Sequence, residues 1–333
     1  MADYSNVIFS SISYRRNIKD MPFVKTLTDL ELAVGVARSL SEIFDEDFEF
    51  KSLKNMSLKE CLLLKEDNIL SDEIIENKDI SAFAESYDKT KYIYVNEQDH
   101  IRIVSKNKGL NLEKCFKDAN DIDDAILEKL EVCFDVNFGY LTENPSLVGT
   151  GMEICALLFI PALIKTNFIE KITQDLLGDN YELYNFDMKE WDKQTPFVII
   201  KNKYTAGYKE NEFASNMQRI VQKICELEET KEDEVFDLSS SGLVDEIYRS
   251  LGILWGSYRI SLQESIQKIA NMLWGIKLGV LKCKKTIDVI SLLSSLKENH
   301  LGSKLSVKEA EKARAKILNR FVIDNIIKGE VDV

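Results

Sequence analysis

The chain has 333 residues, with 43 Lys plus Arg against 56 Asp plus Glu and only 2 His, for a formal charge of −13. At about 150 residues per domain this predicts two domains with ample core, and 45% hydrophobic with 30% charged residues excludes a disordered chain. The acidic balance argues against nucleic acid or an anionic membrane as partner and suits a basic or guanidinium-bearing one.

No stretch is long enough to span a membrane. The longest apolar run, Ile154 to Ile164, contains Pro161 and is about half the roughly 20 residues required. The first residues lack a basic region followed by an apolar one, so no signal peptide is expected. Cys61, Cys115, Cys133, Cys155, Cys225 and Cys283 are scattered without a CxxC pair. That pattern predicts reduced thiols and a cytoplasmic protein rather than a zinc cluster or a disulfide framework.

In chain order, Ser10–Phe23 (SSISYRRNIKDMPF) is a basic patch that by itself reads as surface. Thr28–Leu40 and Ser57–Leu64 read as helices, each opening with Thr/Ser-x-x-Glu, where hydroxyl and carboxylate satisfy free N–H groups. Lys91–Val104 carries two β-rich arms, YIYV and IRIV, around the polar group Asn96-Glu97-Gln98-Asp99-His100. Such a group on a rigid strand needs partners wherever it is buried, and it is a good place for a site. Gly139–Met152 (GYLTENPSLVGTGM) sets a Pro and two glycines among small hydroxyls. It reads as a structural turn, and its N–H groups are also suited to face an anion. Phe197–Ile200 (FVII) is a further strand. Strands and helices without a steady βαβ rhythm predict the α+β class, with a mostly antiparallel sheet flanked by helices.

The composition breaks at 226–242 (ELEETKEDEVFDLSSSG), which reads as a linker between residues 1–235 and 243–333. Beyond it, Leu243, Ile247, Leu251, Leu254, Tyr258, Leu262, Ile266, Ile269, Leu273, Ile276 and Val280 form one helical stripe. Ser261 with Glu264, and Ser306 with Glu309, have capping-box spacing. An all-α C-terminal domain of about four helices is expected, its stripe serving as core and as a candidate dimer interface.

Taken together and in order, FSSISYRRN, NEQDHIRI and GYLTENPSLVGTGME resemble the signature segments of the ATP:guanido phosphotransferases, most closely the bacterial protein arginine kinases. FIPAL and IKNKYTAG continue the likeness, and residues 243–282 resemble the helical C-terminal domain peculiar to those kinases. The resemblance implies a guanido-kinase catalytic domain, a helical dimerisation-type domain, and phosphoryl transfer from Mg·ATP to arginine. In that chemistry arginine forks neutralise phosphate oxygens while a carboxylate deprotonates the guanidinium.

Carried over residue by residue, the family's nucleotide-binding arginines fall on Ser11, Ser13, Arg102, Glu153 and a position near Tyr184. Only Arg102 is an arginine. The base position is Gln98, an amide that accepts a hydrogen bond and cannot take a proton. The cysteine position is Asn144. At about 1.5–3 kcal/mol per charge-assisted hydrogen bond, the losses remove as much as about 6–12 kcal/mol.

The expectation is a pseudokinase, a binding or regulatory protein in protein quality control, whose partner is an arginine-rich protein or an active kinase relative. ATP and Mg, the cofactors implied by resemblance, are expected to bind poorly. The alternative is a divergent active kinase in which Arg15 or Arg16 reaches the phosphates and Glu97 or Asp187 replaces the base. Asn96, Asp99, His100, Gly149 and Gly151 are expected to hold strand and loop together. The Arg-Asp pair with which these kinases bind phosphoarginine falls on Glu309 and Ala310, leaving Lys312, Arg314 and Arg320 as a solvated helix face.

Overall fold

The computed structural model describes residues 6–174, 178, 180–186, 195–207, 209–302 and 304–328. Its centre is β1 (Val7–Arg16), whose alternation decides everything around it. Ile12 and Tyr14 enter one core, while Ser11, Ser13 and Arg15 turn to the opposite face. β2 (Phe48–Ser52), β3 (Ala82–Ser86), β4 (Lys91–Val95) and β5 (Ile101–Lys108) lie on one side of it. After the small hairpin β6 (Phe134–Asp135) and β7 (Gly139–Tyr140), β8 (Met152–Phe159), β9 (Tyr181–Asn185) and β10 (Phe197–Asn202) lie on the other. The eight strands run β2-β3-β4-β5-β1-β8-β10-β9, and every pairing is antiparallel. The α+β expectation therefore holds.

One sheet face is closed by α1 (Leu30–Ile43), α4 (Leu112–Leu127) and the first half of a long helix, α7 (Glu210–Gly256). On the other face, α2 (Leu58–Glu66) and α3 (Asp72–Glu76) cover Phe83, Tyr94 and Val104. At its far end the C-terminal helices cover Phe9, Leu157, Phe159, Phe197 and Ile199. Between those two covers a polar strip of sheet stays open, and the candidate site lies there.

The helix starts are mostly as expected. Ser57 and Glu60 form a full capping box, as do Ser306 and Glu309. α1 differs, because the Asp29 carboxylate, one residue past Thr28, accepts the Glu31 and Leu32 N–H groups.

The segment expected as a linker is helix. α7 runs unbroken through 226–242. Its outward acids pair with lysines three residues before them, Lys223 with Glu226 and Lys231 with Glu234. Its inward acids, Glu228 and Glu232, are buried and partnered: Glu228 accepts the Ala162 and Leu163 N–H groups at the start of α5 (Pro161–Lys165), and Glu232 accepts from Trp274 and Lys277. Acidity here marks a wet face and two specific contacts, not a loop.

The apolar stripe is likewise split, with α7 ending at Gly256 and α8 spanning Leu262–Lys277. Tyr258, on the turn between them, is 76% exposed rather than core. Past α6 (Ile169–Ile172) in the catalytic part, the remaining helices are α9 (Val289–Ser294), α10 (Glu298–Gly302) and α11 (Val307–Asn325), with a two-stranded pair, β11 (Leu281–Cys283) and β12 (Ile326–Lys328). Arg314 is not on a solvated face. It is 5% exposed and donates to the Leu296 and Ile260 carbonyls, while Lys312 and Arg320 are exposed as expected.

Candidate functional site

Strand register assembles the site. Across the open face Arg15 pairs with Arg102, Ser13 with Val104 and Glu153, and Ser11 with Lys106 and Cys155. Beyond β8, Cys155 pairs with Lys201, Lys201 with Glu182, and Ile199 with Tyr184. Directly opposed residues stand about 5 Å apart. Ser11, Ser13, Arg102, Glu153 and Tyr184, scattered over the chain, thus share one surface.

Arg15 belongs to that surface and Arg16 does not. Arg16 lies on the opposite face, 1% exposed, with its guanidinium 3.6 Å from the centre of the Tyr140 ring. It donates to Asp123 at 2.5 Å and to the carbonyls of Arg15 and Thr150 at 2.9 Å. It holds the glycine loop and is out of reach of any phosphate on the open face. The period-two alternation counted from Ser11 carries this distinction, whereas alignment on the Arg-Asn pair hides it. Nor is the N-terminal basic patch surface, since Arg15 and Arg16 are both buried.

Glu97 closes the strip at the β4–β5 turn. It is 3% exposed, accepts both 3.0 Å bonds from Arg102 Nη1, and accepts from Ser71 Oγ at 2.6 Å. Arg15 Nη1 lies 3.7 Å from Glu97 and 3.7 Å from Asp99. Burial pushes the Glu97 carboxyl up, but the Arg102 and Arg15 guanidiniums, with the Ser71 and Arg102 hydrogen bonds, outweigh it and hold the group below the usual carboxylate range. A carboxylate held down in this way is a poor proton acceptor. Burial pulls the Arg102 guanidinium down, and Glu97 with Glu153 more than reverses that.

Gln98, at the base position, is half-buried, and its amide lies 3.5 Å from Glu73. Asn144, at the cysteine position, caps the turn Pro145–Leu147 by accepting the Ser146 N–H at 3.1 Å. Asp187 lies outside the described residues.

The retained motif residues are architectural. Asn96, at φ +54°, donates to the Ala33 and Ile80 carbonyls. Asp99 accepts from Asn17 and from the Glu143 N–H, tying strand to loop. His100 Nδ1 accepts the Ile18 N–H, so Nε2 carries the proton and donates to the Pro22 carbonyl. Burial holds its imidazole below the usual value, hence neutral. Gly151 sits at φ +68°, and a Cβ there would lie 2.7 Å from the Arg15 carbonyl.

Beside the strip opens a polar cleft of about 220 Å³ lined by Asn144, Ser146, Glu153, Glu182, Lys201 and Tyr204, among others. Glu182 pairs with Lys201 at 3.3 Å. Glu153 has no ion pair among the described residues. Cys155 and Lys106 also face the strip and were not singled out from sequence, although strand parity places them there. Burial pushes the Cys155 thiol up and pulls the Lys106 ammonium down.

This donor set does not fit Mg·ATP. A triphosphate needs convergent cations, yet the face offers two serines, the Glu153 carboxylate, two arginines whose charge Glu97 and Asp99 already offset, Lys201 paired with Glu182, and a Lys106 ammonium that burial pulls down. Among the described residues no group of three or more His, Cys, Asp or Glu is placed to hold a metal ion. All six cysteines are free.

Comparison with known proteins agrees with the fold. The profile of the ATP:guanido phosphotransferase C-terminal catalytic domain matches residues 32–231, and that of the protein-arginine kinase McsB C-terminal domain matches residues 240–326. The chain is 30% identical over 330 residues to a protein-arginine kinase of Clostridium acetobutylicum, covering 95% of each. It is 30% identical over 339 residues to that of Clostridium botulinum, covering 96% of each. Among solved structures it is similar to lombricine kinase, at a TM-score of 0.60 and 21% identity, over 70% of this chain and 69% of that one. A duplicated taurocyamine kinase from Schistosoma mansoni also gives a TM-score of 0.60, at 18% identity over 73% of this chain and 36% of the other. The antiparallel sheet, the retained turn architecture and the whole-length similarity make this chain a member of the ATP:guanido phosphotransferase family, on its protein-arginine kinase branch.

Proposed function

We propose that this chain is a pseudokinase that binds arginine-bearing polypeptides at the open sheet face without transferring phosphate to them, as a regulatory protein in protein quality control. One observation carries the reading. Glu153 stands in the cleft without an ion pair among the described residues, beside Glu182, at the position where the family resemblance expects a phosphate-binding arginine. A carboxylate in a polar cleft repels a phosphate and attracts a guanidinium, which offers planar forked donors to it. Glu97, the remaining carboxylate near the base position, is engaged by Arg102. We place the protein in the cytoplasm, as a dimer through its helical C-terminal part. Two assays test this. Calorimetry with Mg·ATP is expected to show no heat at about millimolar nucleotide, and incubation with ATP to leave no phosphoarginine on a model substrate. Phosphoarginine on that substrate sinks the proposal.

A second reading, a divergent active protein arginine kinase, is favoured by Arg15 standing beside Arg102 on the site face and by the whole-length similarity to protein-arginine kinases. On that reading Mg·ATP binds at micromolar concentration, Arg102→Ala abolishes transfer, and Gln98→Glu does not lower it. A variant pair that both behave like the parent rules this version out.

A further inference from the structure

The C-terminal helices present a second surface, distinct from the cleft. α11 buries Ala310, Arg314, Ala315, Leu318 and Val322. On its outside stand Lys308, Lys312, Lys316 and Arg320, each four residues after the last and all exposed. They form a cationic ridge about 18 Å long. Like charges one turn apart repel, and a helix ordinarily interleaves acids to relieve this. Here Arg320 lies 3.6 Å from Asp324, while Lys308, Lys312 and Lys316 have no ion pair among the described residues.

Beside the ridge the α7–α8 turn holds out two aromatic rings, Trp255 at 57% and Tyr258 at 76% exposure. The turn is fixed in place. Asn319 donates to the Trp255 carbonyl, the Ile260 N–H donates to the Glu311 carbonyl, and Arg314 donates to the Ile260 carbonyl. Lys312 Nζ stands 5.0 Å from the centre of the Tyr258 ring. Next to Tyr258, Ser257 begins a shallow open depression along one face of α7, past Gly256, Ile253, Gly252 and Arg249.

We infer that this ridge, with Trp255 and Tyr258, is a docking surface for an acidic segment of a partner protein carrying an apolar anchor. Three features converge. Cations in a row, three of them without an ion pair among the described residues, match successive carboxylates, and their charge speeds encounter and sets register. Exposed Trp and Tyr beside an open depression are the residue types that anchor interfaces. The ridge stands on a chain of net charge −13, so a polyanion as long and dense as nucleic acid meets net repulsion from the molecule. The charge is felt at the ring: Lys312, with Arg259 and Lys316, holds the Tyr258 phenol below its usual value.

The test is fluorescence anisotropy of the full chain with a labelled glutamate-rich peptide of about twelve residues and one central leucine. It is run at about 50 and about 300 mM salt, against single-stranded DNA of equal length. The peptide is expected to bind, and binding to weaken with salt. Lys312→Glu with Lys316→Glu should weaken it about tenfold or more, and Tyr258→Ser about threefold or more. Lys54→Glu, an exposed lysine on the catalytic part, should leave it unchanged, and melting curves confirm that each variant is folded. The inference is overturned if the peptide does not bind, if both ridge variants bind like the parent, or if DNA binds more tightly. Self-association abolished by the same charge reversals also overturns it, assigning the ridge to a second copy of this chain.

Discussion

Arg102 is the one arginine among the positions that the family resemblance assigns to phosphate binding, and in the structure it is bonded to Glu97. Its guanidinium satisfies the buried Glu97 carboxylate, with Arg15 standing behind. Removing one member of a buried pair strands the other charge, at about 3–5 kcal/mol. Arg102→Ala is therefore expected to destabilise the fold by about 3 kcal/mol, read by urea unfolding. Adding Glu97→Gln should recover a good part of that loss, and a double variant no better than the single one refutes the pairing. Glu228 behaves differently. Burial pushes its carboxyl up to about 7, with Glu232 helping, against the Ala162 and Leu163 amides and Lys277. A folded value above the ordinary 4.5 means the folded state holds this proton more tightly. Its contribution is then whole below about pH 4.5 and lost as pH rises through about 7, worth on the order of 3 kcal/mol. Glu228→Gln should flatten stability across that window; an unchanged slope assigns the pH dependence to other groups. The motif alignment named Ser11, Ser13, Arg102 and Glu153 as positions of one phosphate site, and strand register brings them to one face. It misjudged Arg16, because only the alternation of β1 distinguishes Arg15 from its neighbour.

Elements were read best where a local rule decides them. The arms YIYV and IRIV became β4 and β5, FVII opened β10, and Ser57 and Ser306 capped their helices. The reading failed at α7, where tertiary contacts override composition: Glu228 and Glu232 are inward-facing and partnered, which no charge count reveals. The packing of α7 on α8 is close at one point. A Cβ on Gly275 would lie 2.5 Å from Ile247 Cγ2 and 3.2 Å from Leu281 Cδ1. Ala favours helix over Gly by about 1 kcal/mol, yet Gly275→Ala is expected to destabilise by about 1–3 kcal/mol through overpacking. A gain in stability shows that Ile247 yields without cost.

At the scale of the whole molecule, the two parts are fastened at several places. The C-terminal end of α2 grips α10: the Glu66 carboxylate accepts the Asn299 and His300 N–H groups and the Asn299 amide, and its carbonyl accepts from Ser294 and Lys297. His300 lies 2.9 Å from Asp67. Glu66→Ala is expected to speed hydrogen exchange in α10 at least about tenfold, with the sheet unaffected. Equal exchange in parent and variant shows that other contacts hold α10. None of these long-range bonds, which span more than two hundred residues, has a signature in local sequence.

The shared core has a consequence for how the chain is made. Phe9, Leu157, Phe159, Phe197 and Ile199 of the sheet are covered by residues from Val235 onward. During synthesis at about 5–20 residues per second, the last hundred or so residues take about 5–20 seconds to follow. Throughout that interval those sheet residues lack their cover, and transiently exposed apolar surface of this kind is prone to aggregation.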